Sequence, residues 1–178
     1  MEFDAADGEI GADRITKGRT ILGVPLRAEA EYEAALRVNP NLANVWSSSG
    51  WLRVWMGDPD TAIQHFAQFK RLSPLDPAMP RVLSGSAFAH FFAGRYAEAC
   101  AQAQQVLQES PDLHSGLRIC AASHALAGRM EQARNAMSRL RQIDPKLRVS
   151  NLSDLTPLQR PEDVARYAEA MRKAGLPE

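Results

Sequence analysis

The sequence predicts an all-α fold in which antiparallel helix pairs stack into a right-handed superhelix, with one further helix at the C-terminal end. Three observations carry that prediction. Prolines that stop a helix recur at Pro40, Pro74, Pro111 and Pro145, at intervals of 34, 37 and 34 residues. Small residues recur in register between them, with Gly57, Gly94 and Gly128 followed five residues later by Ala62, Ala99 and Ala133. On either side of each glycine, apolar residues repeat at helical rather than strand spacing.

The fullest unit is residues 43–74. Its first helix, near residues 43–56, carries Val45, Trp46, Trp51, Leu52, Val54 and Trp55 on more than one face, so a single neighbour cannot cover them. Its second, near residues 60–72, carries Ala62, Ile63, Phe66 and Phe69 three and four residues apart. Gly50 and Ala62 are small enough for close backbone approach, and Trp46 is expected in the core. Gly57 suits the left-handed end of a helix, Asp58-Pro59 starts the next, and Pro74 ends it.

The other units follow from this one. Residues 1–24, with four glycines and little apolar periodicity, read as a flexible tail in which a short helix near residues 13–21 remains open. Residues 25–40 hold only the second half of the pattern, through Ala28, Tyr32, Ala35 and Pro40. Full units return at 80–111, after the proline-rich connector SPLDPAMP, and at 114–145. Residues 146–178 then break the period with a crossover and an amphipathic helix from 161 to 174, striped by Val164, Tyr167, Ala168 and Met171. This helix is expected to cap the solenoid, and its acidic start and basic finish suit the helix dipole.

Composition excludes several classes of function. Lys+Arg and Asp+Glu both number 21, so no net field favours nucleic acid or an anionic membrane. No apolar run approaches a spanning helix, and no export signal is legible, so a cytoplasmic location and no membrane association are expected. Cys100 and Cys120 are the only cysteines, and the four histidines come without a dense ligand cluster. His90 and His124, at equivalent places in successive units, read as packing or hydrogen-bonding groups. No phosphate loop, serine elbow or metalloprotease helix is present, so no enzyme activity, cofactor or metal is expected.

Trp46, Gly50, Ala62, Phe66 and Pro74 stand at the places of the W-x2-L-G-x2-Y, A-x3-F, P signature, and on these residues the chain resembles tetratricopeptide-repeat proteins over about residues 25–145. Phrases such as AHFFAGRYAEA, LRQIDP and RPEDVARYAEAMRKAGLPE look like the C-terminal repeat region of bacterial class III adenylate or guanylate cyclases. The family likeness implies that the first helix of each unit lines an inner groove. Its peptide-contacting positions map onto Ser47, Ser48, Trp51 and Trp55, then Arg81, Ser84, Phe88 and Phe92, then Ser115, Arg118 and Ala122. The Lys and Asn set that clamps a terminal carboxylate in chaperone-binding members is absent, so a chaperone tail is not the expected ligand. The four aromatics fit both an apolar groove and plain filling between helices.

The function expected is a non-catalytic interaction module that binds a peptide, helix or protein domain in its concave groove. The alternative is a detached regulatory domain of a cyclase-like signalling protein. The sequence names neither the partner nor the oligomeric state.

Overall fold

The computed structural model describes residues 23–178, with side chains from Arg27 onward; the expected tail, apart from its last two residues, and the optional helix near 13–21 lie outside the described residues. The described residues contain nine α-helices and no strand. These are α1 (Gly23–Val38), α2 (Ala43–Met56), α3 (Pro59–Leu72), α4 (Met79–Phe92), α5 (Tyr96–Glu109), α6 (His114–Leu126), α7 (Met130–Ile143), α8 (Leu152–Leu155) and α9 (Pro161–Ala174), with a single 3-10 turn at Val149–Asn151. Helices α2/α3, α4/α5 and α6/α7 are the three pairs, and α1 packs on α2 as the half-unit.

One turn closes every pair. Gly57, Gly94 and Gly128 adopt φ of 79°, 76° and 75°, a left-handed conformation that strains any other residue. The amides of Asp58, Arg95 and Arg129 then reach back to the carbonyls of Arg53, His90 and His124 at 2.9, 2.9 and 2.8 Å, which satisfies acceptors that the helix end leaves free. Asp58 also starts α3, its Oδ1 accepting from the Thr61 amide at 3.3 Å, with Pro59 in the first turn.

Small residues sit where helices meet. Ala62, Ala87, Ala99, Ala121 and Ala133 are fully buried, and Gly50 is buried with them. The Phe66 ring explains two of the glycines: a Cβ on Gly50 would stand 2.7 Å from it, and one on Gly85 2.4 Å. Phe66 therefore lies wedged between α2 and α4. Trp46 departs from expectation, being only partly buried. Its Nε1 donates to the Pro40 carbonyl at 2.8 Å and its ring meets His65 edge-on at 4.9 Å, so it clamps the α1–α2 turn from the rim of the core. Arg53 ties α1 down, with Nη2 2.6 Å from Glu29 and 3.4 Å from Glu33 and with Nη1 3.4 Å from Asp58.

The stack ends at α7 for a reason visible in its side chains. On α5, Cys100 meets His124 of α6 at 3.4 Å, and Leu107 reaches within 3.2 Å of where a Cβ on Gly116 would stand. Their counterparts one repeat later are Arg134 and Arg141, both exposed, which form no ion pair among the described residues. A further helix laid there would bury two guanidinium groups at large cost. Instead, α9 packs chiefly on α6 and only lightly on α7, which puts it on the inner side of the superhelix.

Candidate interaction surface on the inner face

The first helices α2, α4 and α6 line the inner face, and the C-terminal segment occupies much of it. An aromatic chain runs along the floor. Trp51 lies 6.1 Å from Trp55, 5.9 Å from Phe66 and 5.8 Å from Phe88, and Phe88 stacks on Phe92 at 6.4 Å. Tyr167 of α9 completes it, 5.7, 6.1 and 6.3 Å from Phe88, Phe91 and Phe92. These separations favour edge-on and tilted ring contacts. Burial pushes the Tyr167 phenol up in pKa, against the pull of nearby Arg118.

Polar contacts hold the segment at the helix ends. The Gln159 amide donates to the Trp55 carbonyl at 2.8 Å, and Arg160 Nη1 to the Gly57 carbonyl at 3.1 Å. Arg166 Nη1 donates to the Phe92 carbonyl at 2.8 Å. Each carbonyl belongs to the C-terminal end of α2 or α4, where acceptors are free and the helix dipole favours a cation. At the other end, Arg118 Nη1 donates to Thr156 Oγ1 at 3.3 Å. Asp163 is nearly fully buried at the start of α9. Desolvation raises its pKa, while Arg160 and Arg166, 3.7 and 3.9 Å away, draw it down.

The expected groove residues divide accordingly. Phe88, Phe92, Ser84 and Arg118 are buried, and Ser84 is engaged by the Ser115 hydroxyl at 3.1 Å. Trp51, Trp55 and Ser47 are half-buried, and Arg81 is exposed. The structure thus brings Trp51, Trp55, Phe88 and Phe92 together, links Arg118 to the same surface through Thr156, and gives Ser47 and Arg81 no hydrogen-bonded side-chain partner among the described residues. Sequence reasoning missed Thr156, Gln159, Arg160 and Arg166, whose role depends on where the crossover runs. The stripe on α9 was legible but rotated: Val164 is 42% exposed, whereas Asp163, Tyr167, Ala170, Met171 and Ala174 face inward.

Burial shifts the cysteines and histidines of the core toward their neutral forms. Burial pushes the Cys120 thiol up to about 12 and raises Cys100 as well, which disfavours thiolate at neutral pH. Desolvation lowers His65, His90 and His124 in pKa. No group of three or more metal-ligating side chains occurs among the described residues, and none of their helices is long and apolar enough to cross a membrane.

Comparison with known proteins agrees with the architecture. A family model described as Tetratricopeptide repeat matches residues 91–156. Among solved structures, the chain is similar to MamA (TM-score 0.63, 15% identity, covering 98% of this chain and 94% of that one). It is also similar to PilW, a type IV pilus biogenesis factor (0.67, 18%, 96% and 79%). A third likeness is the first TPR domain of human RPAP3 (0.54, 17%, 76% and 97%). The fold is therefore an all-helical tetratricopeptide-type solenoid. Among curated proteins, mouse superkiller complex protein 3 is 31% identical over 104 residues, or 58% of this chain and 6% of its own length. The Arabidopsis thaliana CTR9 homolog is 27% identical over 121 residues, 67% and 11%. The chain thus spans about a tenth or less of these relatives. None of the five supports the phrase-level likeness to cyclase C-terminal regions.

Proposed function

We propose that the chain is a non-catalytic protein-interaction module that binds a peptide, helix or protein domain along the inner face of α2, α4 and α6. The observation that carries this reading is that the same face already takes polypeptide. Residues 156–176 lie on it through buried aromatic and aliphatic side chains and through donors placed on helix-end carbonyls. Large aromatics in a water-excluded setting are the residues that anchor interfaces. Trp51 and Trp55, half-buried at the less covered end, supply contact area, and Arg81 supplies an exposed charge at the rim. The assembly roles in the names of a superkiller complex protein and a pilus biogenesis factor agree with such a task.

The test uses the full chain as bait, wild type against Trp55→Ala, with capture from a cell extract read by mass spectrometry. Loss of a defined set of proteins with the variant is expected. Identical capture by both removes the inner face as the binding surface.

A further inference from the structure

The C-terminal segment is a ligand that the chain carries with it, and its chemistry describes what the inner face accepts. Three features define it. It approaches through a non-helical stretch, residues 156–160, in which the backbone amide of Gln159 is donated to the Trp55 carbonyl. Two arginines six residues apart then cap successive inner helices, Arg160 at the end of α2 and Arg166 at the end of α4. Last comes an amphipathic helix whose Tyr167, Ala170, Met171 and Ala174 are buried, with Tyr167 lodged beside Phe88, Phe91 and Phe92.

The two halves of this segment are held unequally. Pro161 and Glu162 are exposed, the Arg160 side chain is 47% exposed, and Val164 is 42% exposed. From Tyr167 to Leu176 the inward side chains are closed to solvent. The leading half therefore combines charge-assisted bonds at helix ends with the buried Thr156 and Asp163, while the trailing half rests on apolar burial throughout.

We infer that the inner face is a binding site for a partner segment of this same chemistry: a non-helical lead, arginines spaced to meet the ends of α2 and α4, and an amphipathic helix with an aromatic anchor. Residues 156–176 are its resident, exchangeable occupant. The inference rests on the inner-face reading above and adds the ligand class and its control. A tethered occupant acts at an effective concentration in the millimolar range, so it excludes weak ligands and yields only to a segment that meets the same contacts better. Helix-in-groove binding of this kind reads its anchors at positions i, i+3, i+4 and i+7, the spacing of Tyr167, Ala170, Met171 and Ala174.

The experiment titrates a fluorescently labelled synthetic peptide of residues 156–178 into the full-length chain and reads anisotropy. The wild-type chain is compared with the double variant Arg160→Ala, Arg166→Ala, which loosens the leading half and leaves Tyr167 in place. Binding about tenfold or more tighter to the variant is expected, and a peptide carrying Tyr167→Ala is expected to bind neither chain. Circular dichroism establishes that the variant remains helical. Peptide affinity equal in both chains, or no binding to a folded variant, overturns the inference, as does indifference to the peptide's own Tyr167. A variant that dimerises in the absence of peptide assigns the face to a second copy and overturns a separate partner. If Trp55→Ala still abolishes capture from extract while the peptide fails to exchange, the ligand class falls and the inner-face reading stands.

Discussion

Helices α2 and α6 hold the same place in their repeats, yet they are buried to different degrees. In α6 ten of thirteen residues are buried, whereas in α2 only Ser49, Gly50, Leu52 and Val54 are. The repeat signature does not distinguish them, because both carry small residues toward their own partner helix. Among the described residues the difference comes from outside the repeat: α9 lies on α6, while the crossover at Gln159 and Arg160 reaches the end of α2. Helix α4 is nearly as buried as α6, with ten of its fourteen residues closed, and Tyr167 covers its Phe88 and Phe92. The C-terminal segment thus adds to the burial of the inner face at α6 and at the end of α4.

That explanation breaks first at Tyr167. Replacing it with alanine removes a fully buried aromatic from the junction of α4 and α9, and a loss of ~3–5 kcal/mol is expected from urea denaturation. Trp55→Ala, at the half-buried end, is expected to cost less than half as much, because water already reaches part of that side chain. Equal losses would mean that α9 contributes nothing special to the buried end.

The next largest effect concerns the fit of α2 to α4. A Cβ on Gly85 would stand 2.4 Å from the Phe66 ring and 2.9 Å from Trp51, so Gly85→Ala is expected to cost ~1–3 kcal/mol. Adding Phe66→Leu makes room and should recover part of that loss in the double variant. If the two substitutions add instead, the ring is not what holds the glycine.

Legibility followed the reach of each interaction. The three turn glycines and the alanines at helix crossings were readable because each answers a local demand, a positive φ or a close approach, repeated at fixed spacing. The helix of residues 161–174 was equally readable, with Pro161 at its start and Gly175, at φ 102°, at its end. Its location was not. Gln159 and Trp55 are 104 residues apart and Arg160 and Gly57 103, and no periodicity links a crossover to the helix end on which it comes to rest. Trp46 failed for a related reason: a signature position tells which helix pair it serves, and not how far the elements around it close over its ring.

A smaller effect distinguishes the two ends by pH. His124 is buried in α6 beside Cys100, and desolvation, followed by the Arg129 charge, lowers its pKa below the ordinary 6.5. The unfolded chain therefore binds a proton there that the folded chain refuses. Stability is full above pH 6.5 and falls as the pH drops below it. His65, half-buried on α3, shifts in the same direction. The urea midpoint should fall on acidification from pH 7 to about 5.5. His124→Gln should flatten that slope more than His65→Gln, whose imidazole is only partly closed to water.

The smallest expected change in stability belongs to the end of the stack, and there the informative quantity is solution mass. Ile63 on α3 and Cys100 on α5 hold the position that Arg134 holds on α7; Lys70 and Leu107 hold that of Arg141. Where α5 must receive α6 the pair is apolar, and where α7 receives no further repeat helix it is charged. The double change Arg134→Ile, Arg141→Leu touches only exposed side chains and should move the folding free energy by no more than about 0.5 kcal/mol. It also gives the face the apolar residues that stand at Ile63 and Leu107 on the helices that do receive a neighbour. The cleft of about 440 Å³ between α7 and the end of α9, lined by Met137, Pro145 and Ala174 beside the two arginines, then becomes continuous with an apolar strip. Concentration-dependent self-association, seen by sedimentation and resistant to salt, is the expected outcome. A variant that stays at the wild-type mass at high concentration would mean that the arginines are not what terminates the solenoid, and that the light packing of α9 on α7 suffices to do so.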